Sequence, residues 1–217
     1  MSSSTTQTIA CPSCGRQQSF VLWQSINVTL DPGLKEKLKS GELTTFQCNH
    51  CERRAEVVFS LLYHDMDKRW MFWLVPEGKL PPGLSSGLPK EHLPGYLLRL
   101  VRSRNELVEK LNVLDAGMDD RVVAAIKLLL RARLERDHGI ENPVLLFDER
   151  VARPGGQSEL HFAWVGEAKA QGIAVSTELY ETLAAELKVA LQGALGHKDA
   201  WLRTDQHYAA KLLAQRK

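Results

Sequence analysis

The chain lacks long apolar runs, a strong net charge and any unpaired cysteine. No stretch approaches the roughly 18 apolar residues of a membrane helix, so we expect no membrane partner. The N-terminal MSSSTTQT has neither a charged region nor an apolar run, which predicts the absence of a secretory signal. A formal net charge of +2 over 217 residues gives no general attraction to nucleic acid or anionic lipid. A cytoplasmic protein is the resulting expectation.

Common catalytic motifs are also missing from the sequence. It contains no Gly-rich phosphate loop, no Gly-x-Ser-x-Gly elbow and no His-Glu-x-x-His helix. These absences disfavour an enzyme without excluding one. The sequence therefore indicates no catalytic residue and no cofactor-binding residue apart from metal ligands.

All four cysteines fall in two Cys-x-x-Cys pairs, Cys11/Cys14 and Cys48/Cys51. Each pair can present two sulfurs to one ion from a tight turn, and two pairs complete a tetrahedral thiolate site that suits zinc. Four protein ligands leave no open position, so the predicted zinc is structural and not catalytic. In a reducing cytoplasm such pairs are metal ligands more often than disulfides. The alternative is thiol redox chemistry, which needs a pair at a helix N-terminus, and neither pair shows that context.

The surroundings of the two pairs differ. Pro12 and Gly15 flank the first pair, whereas no proline or glycine flanks the second. A glycine after the second cysteine relaxes a turn of positive φ, so its absence predicts a more strained second turn. His50 lies inside the second pair and could replace a cysteine as ligand. Four thiolates already satisfy the metal, which favours a solvent-facing His50.

Alternating apolar residues predict strands over 18–30, 55–63 and 70–75. Between the first two, Asp31 suits an N-cap and Gly41 a helix end, which predicts a short helix. Residues 9–76 thus form a predicted small antiparallel sheet with a helical insertion and a metal site at one end.

The predicted fold class is α+β: a zinc-ribbon-like antiparallel sheet with a short helix insertion, then a helical middle, then a C-terminal β-hairpin and helices. The predicted division is a zinc-ribbon-like domain at 9–76, a Pro/Gly-rich linker at 77–95, a helical remainder at 96–138, and a C-terminal part at 139–217. Within these parts we expect a strand at 96–101, a capping box at Ser103–Glu106, a helix from Asp119, a hairpin around PGGQ, and helices at 178–195 and 198–216.

Two acidic clusters invite a catalytic interpretation. His64, Asp65 and Asp67 could form a hydrolytic or metal-binding cluster, but a polar turn between two strands is favoured. Asp119 and Asp120 look like a paired acid and base. Their place at a helix start favours a capping role instead, because carboxylates interact well with the exposed amides there.

Basic residues recur along the helix predicted over 119–136. They could follow a phosphate backbone, but acidic residues on the same segment favour a solvated helix face. The set comprises Arg121, Lys127, Arg131, Arg133 and Arg136.

Several separated segments resemble the CpXC domain family, which is named for its Cys-Pro-x-Cys motifs. They are CPSCG (11–15), WQSINV (23–28), DPGLKEKLKSGEL (31–43), QCNHC (47–51), LLYHDMD (61–67), WLVP (73–76), NELVEK (105–110) and DAGMDDRVV (115–123). Their order along roughly residues 9–135 makes the resemblance specific. The resemblance implies a zinc site on Cys11, Cys14, Cys48 and Cys51 and implies no activity.

The predicted function is that of a zinc-stabilised interaction or regulatory protein. Its expected partner is another protein, and assembly with further copies of the same chain stays open. The second hypothesis is a nucleic-acid-associated zinc ribbon. An enzyme using His64 and Asp65, or a thiol redox protein, is the third.

Overall fold

A computed structural model describes residues 1–76, 93–165, 170–193 and 201–216. Two compact units divide the chain: Met1–Val108 with Lys198–Leu202, and Glu109–His197 with Arg203–Lys217. Sheets and helices occur together, which confirms the α+β class. The predicted linker falls largely on residues 77–92, outside the described residues, so the predicted four-part division stays a prediction.

The first unit contains a five-stranded sheet and a two-stranded ribbon. The sheet has the order β1-β2-β5-β6-β7, and the ribbon pairs β3 with β4. The strands are β1 (Ser3–Ala10), β2 (Gln17–Asn27), β3 (Thr45–Gln47), β4 (Arg54–Glu56), β5 (Leu61–Asp65), β6 (Trp70–Leu74) and β7 (Leu97–Val101). Fully buried side chains of this unit include Ile26, Phe46, Leu61, Tyr63 and Phe72.

The five-stranded sheet is mixed, which corrects the prediction of a purely antiparallel one. β2 pairs with β5 in parallel, and β6 pairs with β7 in parallel. The strand predicted over 55–63 is in fact two: β4 completes the ribbon with β3, and β5 joins the large sheet. The alternation of apolar residues along a strand shows which side chains face inward. It does not show which other strand pairs with that strand, or in which direction.

Strand β1 was not predicted. Its residues are exposed except for partly buried Ile9, so no buried face imposes an apolar alternation on the sequence. It pairs antiparallel with β2 from Ser3 to Ala10. A strand that is polar on both faces leaves no periodic signal.

Helix α1 (Gly33–Ser40) confirms the predicted helical insertion. It ends at Gly41 in the left-handed conformation, as expected, while its N-cap is Pro32 and not Asp31. The guanidinium of Arg104 donates to the backbone carbonyls of Leu38 and Lys39. The Leu38 carbonyl also accepts from the amide of Gly41, so the cation adds a second donor at this negative end of the helix dipole.

The second unit packs helices with a three-stranded antiparallel sheet of order β10-β9-β8. Its elements are α3 (Asp120–His138), β8 (Leu145–Ala152), β9 (Ser158–Val165), β10 (Ala170–Ser176), α4 (Thr177–Glu186), α5 (Lys188–Gln192) and α6 (Gln206–Leu213), and α2 (Arg104–Asp115) runs across the boundary between the units. The predicted hairpin is confirmed as β8 and β9, and β10 is an additional strand. The final helix is shorter than predicted, because it begins at Gln206.

No helix in the described ranges is long and apolar enough to cross a membrane.

Candidate metal centre

Two β-hairpins carry the four cysteines at their tips. The turn between β1 and β2 holds Cys11 and Cys14, and the turn between β3 and β4 holds Cys48 and Cys51. The first hairpin belongs to the large sheet and the second is the separate ribbon. The two tips therefore bring together cysteine pairs that lie far apart in sequence.

The two turns repeat one hydrogen-bond pattern. The amide of Cys11 donates to the carbonyl of Arg16, and the amide of Gly15 donates to the carbonyl of Cys11. In the second turn Cys48 donates to Arg53, and Glu52 donates to Cys48. The two turns are equivalent in backbone structure despite their different sequences.

This equivalence requires the same positive φ in both turns. Gly15 has φ 71°, and Glu52, at the matching position, has φ 57°. A residue with a Cβ pays a steric cost in this region that glycine avoids. The prediction of a more strained second turn is confirmed.

The four sulfurs form a compact cluster. The Sγ atoms of Cys11 and Cys51 lie 3.6 Å apart, and those of Cys14 and Cys48 lie 3.7 Å apart. All four Sγ atoms lie within 4.8 Å of one another. A tetrahedral ion with metal–sulfur bonds of about 2.3 Å separates its sulfurs by about 3.8 Å. The cluster therefore has the dimensions of a four-thiolate metal site.

Backbone amides stabilise the thiolate of the first cysteine in each pair. The amides of Cys51 and His50 point at the sulfur of Cys48 and lower its pKa to about 6, and the amide of Cys14 likewise lowers the pKa of Cys11. The amide of Arg16 also acts to lower the pKa of Cys14. Desolvation and the other three thiols outweigh that amide and raise the Cys14 pKa to about 11. Without an ion, the raised pKa keeps the Cys14 thiol protonated at neutral pH. A divalent cation favours the thiolate form of each sulfur that it binds.

Apolar packing supports the cluster from beneath. Cys11 and Cys48 are buried together with Phe46, while Cys14 and Cys51 are exposed. Phe20 of the first hairpin contacts Phe46 of the second, with ring centroids 6.1 Å apart. One cysteine of each pair is thereby anchored in the core between the hairpins.

Gln18 links the two hairpins through its side-chain amide. Its Nε2 donates to the carbonyl of Gln47 over 2.7 Å, and its Oε1 accepts from the amide of Asn49 over 2.8 Å. Both contacts lie beside the second cysteine pair. Sequence analysis missed this residue, because a single glutamine in a polar strand gives no signal of a contact to another hairpin.

His50 is exposed, and only its backbone participates in the site. Its amide lies 3.4 Å from Cys48 Sγ, and among the described residues only the four cysteines bring metal-ligating atoms together at this site. This placement agrees with the predicted solvent-facing residue.

His64 and Asp65 do not form a catalytic pair. They are adjacent in β5 and so point to opposite faces of the sheet. The ring of His64 lies 3.1 Å from the hydroxyl of Tyr96, and burial lowers the pKa of the imidazole. The carboxylate of Asp65 is buried and accepts from the amide of Lys68, which closes the turn into β6. The favoured interpretation of a turn is confirmed for Asp65.

Asp119 and Asp120 also have separate roles. Asp119 is the N-cap of α3 and accepts from the amide of Arg121. Asp120 is buried and accepts from the hydroxyl of Thr204 over 2.9 Å, with Lys110 Nζ 3.5 Å away. The predicted capping role is confirmed for Asp119, and Asp120 instead belongs to a buried polar cluster.

Each of the five basic residues on α3 has a carboxylate partner. The pairs are Arg121–Asp119, Lys127–Glu109, Arg131–Glu135, Arg133–Asp137 and Arg136–Asp137. Arg133 and Arg136 share Asp137, so five cations face four carboxylates and little net positive charge is left to attract phosphate. Association with nucleic acid stays a prediction.

Comparison with protein families gives one match. The CpXC protein family model matches residues 9–127, which is more than half of the chain and contains all four clustered cysteines. No curated protein and no solved structure matches the chain. The extent of the family match shows that this chain belongs to the CpXC protein family.

Proposed function

We propose that the four cysteines bind one structural zinc ion and that the protein acts by binding a partner and not by catalysis. The distances between sulfurs carry the metal assignment. At 3.6 and 3.7 Å they fit the edges of a tetrahedral zinc–thiolate site and far exceed the roughly 2.05 Å of a disulfide. Magnesium and calcium prefer oxygen ligands, so an all-sulfur site disfavours both.

A structural role follows from the coordination number. Four thiolates fill a tetrahedron and leave no position for water or substrate. The ion would instead fix the relative position of two hairpins, the second of which has strands of only three residues. A two-stranded ribbon of this size is at best marginally stable without such support.

The redox alternative lacks the structural context that it requires. Both cysteine pairs lie in turns between strands, and neither begins a helix. A helix N-terminus is the usual means of activating one thiol of a redox pair. We propose that the protein resides in a reducing compartment, the cytoplasm, because the four thiols remain available as ligands there.

Removal of the metal tests the proposal. Protein purified without added metal should contain about one zinc and no iron per chain, and its solution should be colourless. A strong chelator should then increase hydrogen exchange across β1–β4, because the bound ion stabilises only the state that presents all four ligands. The amides of α3 in the second unit serve as the internal control.

Zinc added back to the stripped protein should restore protection in β1–β4, whereas magnesium should not. Stripped protein with unchanged exchange in these strands would contradict a structural zinc. A coloured protein that contains iron would contradict the choice of metal.

A further inference from the structure

Within the described part of the chain, one edge of the five-stranded sheet is covered and the other is open. At β7, Leu202 exchanges backbone hydrogen bonds with the strand: Leu100 donates to the carbonyl of Leu202, and Leu202 donates to that of Leu98. At the opposite edge, β1 pairs only with β2. Among the described residues, no backbone hydrogen bond reaches Ser3–Ala10 from any other element.

The register of the first hairpin shows which groups of β1 face outward. Cys11 donates to the carbonyl of Arg16 over 2.8 Å, and the same pairing continues down the hairpin. Hydrogen-bonded pairs alternate along an antiparallel ladder. Ile9, Gln7 and Thr5 therefore bond to β2. The residues that direct their amides and carbonyls away from β2 are Ser4, Thr6, Thr8 and Ala10.

Strand β1 has few of the features that normally protect an edge. It is eight residues long and contains no proline, no lysine and no other charged side chain; its one register irregularity lies at its start, between Ser3 and Ser4. Exposed edges are usually blocked by charge, proline or shortness, because an unpaired strand edge is a template for another strand. The edge strand β8 of the second unit, in contrast, carries Asp148, Glu149 and Arg150.

From this geometry we propose that β1 pairs antiparallel with β1 of a second copy of the chain and joins the two five-stranded sheets. A two-fold axis at Thr6 places Thr6 opposite Thr6 of the second copy and Ser4 opposite Thr8, so a charge at Thr6 would face a like charge and one at Ser4 or Thr8 would lie near one. The strand has none. Threonines at Thr6 and Thr8 also favour an extended backbone and can hydrogen-bond across a strand pair. The occupant that the edge fits is therefore its own copy.

This inference rests on the proposed function, because zinc holds the hairpin that presents the edge. One strand pair buries little surface compared with the roughly 1,600 Å² of a standard interface. We therefore expect a weak dimer that forms only at high protein concentration. Sedimentation equilibrium from about 1 to 300 µM should show the mass rising from 24.4 kDa toward twice that value.

Substitutions at Thr6 test the edge itself. Thr6→Pro removes an outward-facing amide and leaves the bonds to β2 in place, since proline is tolerated where the missing amide faces solvent. It should weaken the dimer at least tenfold. Thr6→Val keeps the amide and the preference for strand, so this matched control should associate like the parent.

Charge at the same position provides a second test that does not alter the backbone. Thr6→Lys and Thr6→Glu should each weaken self-association, and an equimolar mixture of the two should restore it. Zinc-loaded protein that stays monomeric at all concentrations would overturn the proposal. So would a Thr6→Pro dimer as strong as the parent's, or a mixture that associates no better than either variant alone.

The zinc content of every sample separates this inference from the metal assignment. A monomer that holds one zinc refutes the edge pairing alone. A dimer without zinc refutes the metal assignment alone.

Discussion

Replacement of Cys14 with serine will abolish zinc retention and unfold the two hairpins. A hydroxyl is a poor zinc ligand, so the site falls to three thiolates. Substitution of residues that only hydrogen-bond to metal ligands reduces metal affinity about 10–100-fold. The loss of a ligand itself should reduce the affinity further. Because Cys14 is exposed, the substitution leaves the packing around Phe46 unaltered, and the effect reports on the metal.

Hydrogen exchange with mass analysis measures this prediction. Amides of β1–β4 should lose most of their protection, while those of α3 and α4 keep theirs. Ser13→Ala is the matched control in the same turn, because it leaves all four thiols in place. If Cys14→Ser keeps the protection of Ser13→Ala in these strands, the ion does not stabilise the hairpins.

Replacement of Glu109 with alanine will destabilise the second unit by about 3 kcal/mol. The carboxylate is 3% exposed and lies 2.6 Å from Lys127 Nζ. It also accepts from the amide of Phe147 over 2.7 Å. The substitution removes one charged partner of Lys127 and the acceptor of the buried Phe147 amide, and both losses are costly.

Hydrogen exchange of the buried amides in α3 should accelerate about 100-fold, which corresponds to about 3 kcal/mol. Glu135→Ala is the matched control, because Glu135 pairs with Arg131 on α3 but is 42% exposed. An exposed pair contributes about 0–1 kcal/mol. Equal effects of the two substitutions would show that Glu109 acts as a surface residue.

The cluster of four cysteines could be predicted from the sequence because its determinants are local. Two cysteines three positions apart define a ligating turn wherever the turn lies. Even the strain at Glu52 could be predicted, since the first turn places a glycine at the equivalent position. Local hydrogen bonding likewise made the cap at Asp119 predictable.

The features that escaped prediction depend on contacts between distant segments. Parallel pairing of β2 with β5 depends on the path of the chain between them, which alternation does not encode. Strand β1 has no buried face, so its sequence shows no alternation of apolar and polar residues. The link from Gln18 to the second hairpin and the burial of Asp120 with Thr204 join residues far apart in sequence, and a single sequence does not show such pairs.

X-ray absorption at the zinc edge tests the central claim most directly. A protein with one structural four-thiolate site should give four sulfur neighbours at about 2.3 Å and no nitrogen or oxygen in the first shell. Three sulfurs and one nitrogen would show that a histidine such as His50 is a ligand. Three sulfurs and one oxygen would show that water or another oxygen ligand occupies the fourth position. Either result would contradict a closed site on Cys11, Cys14, Cys48 and Cys51.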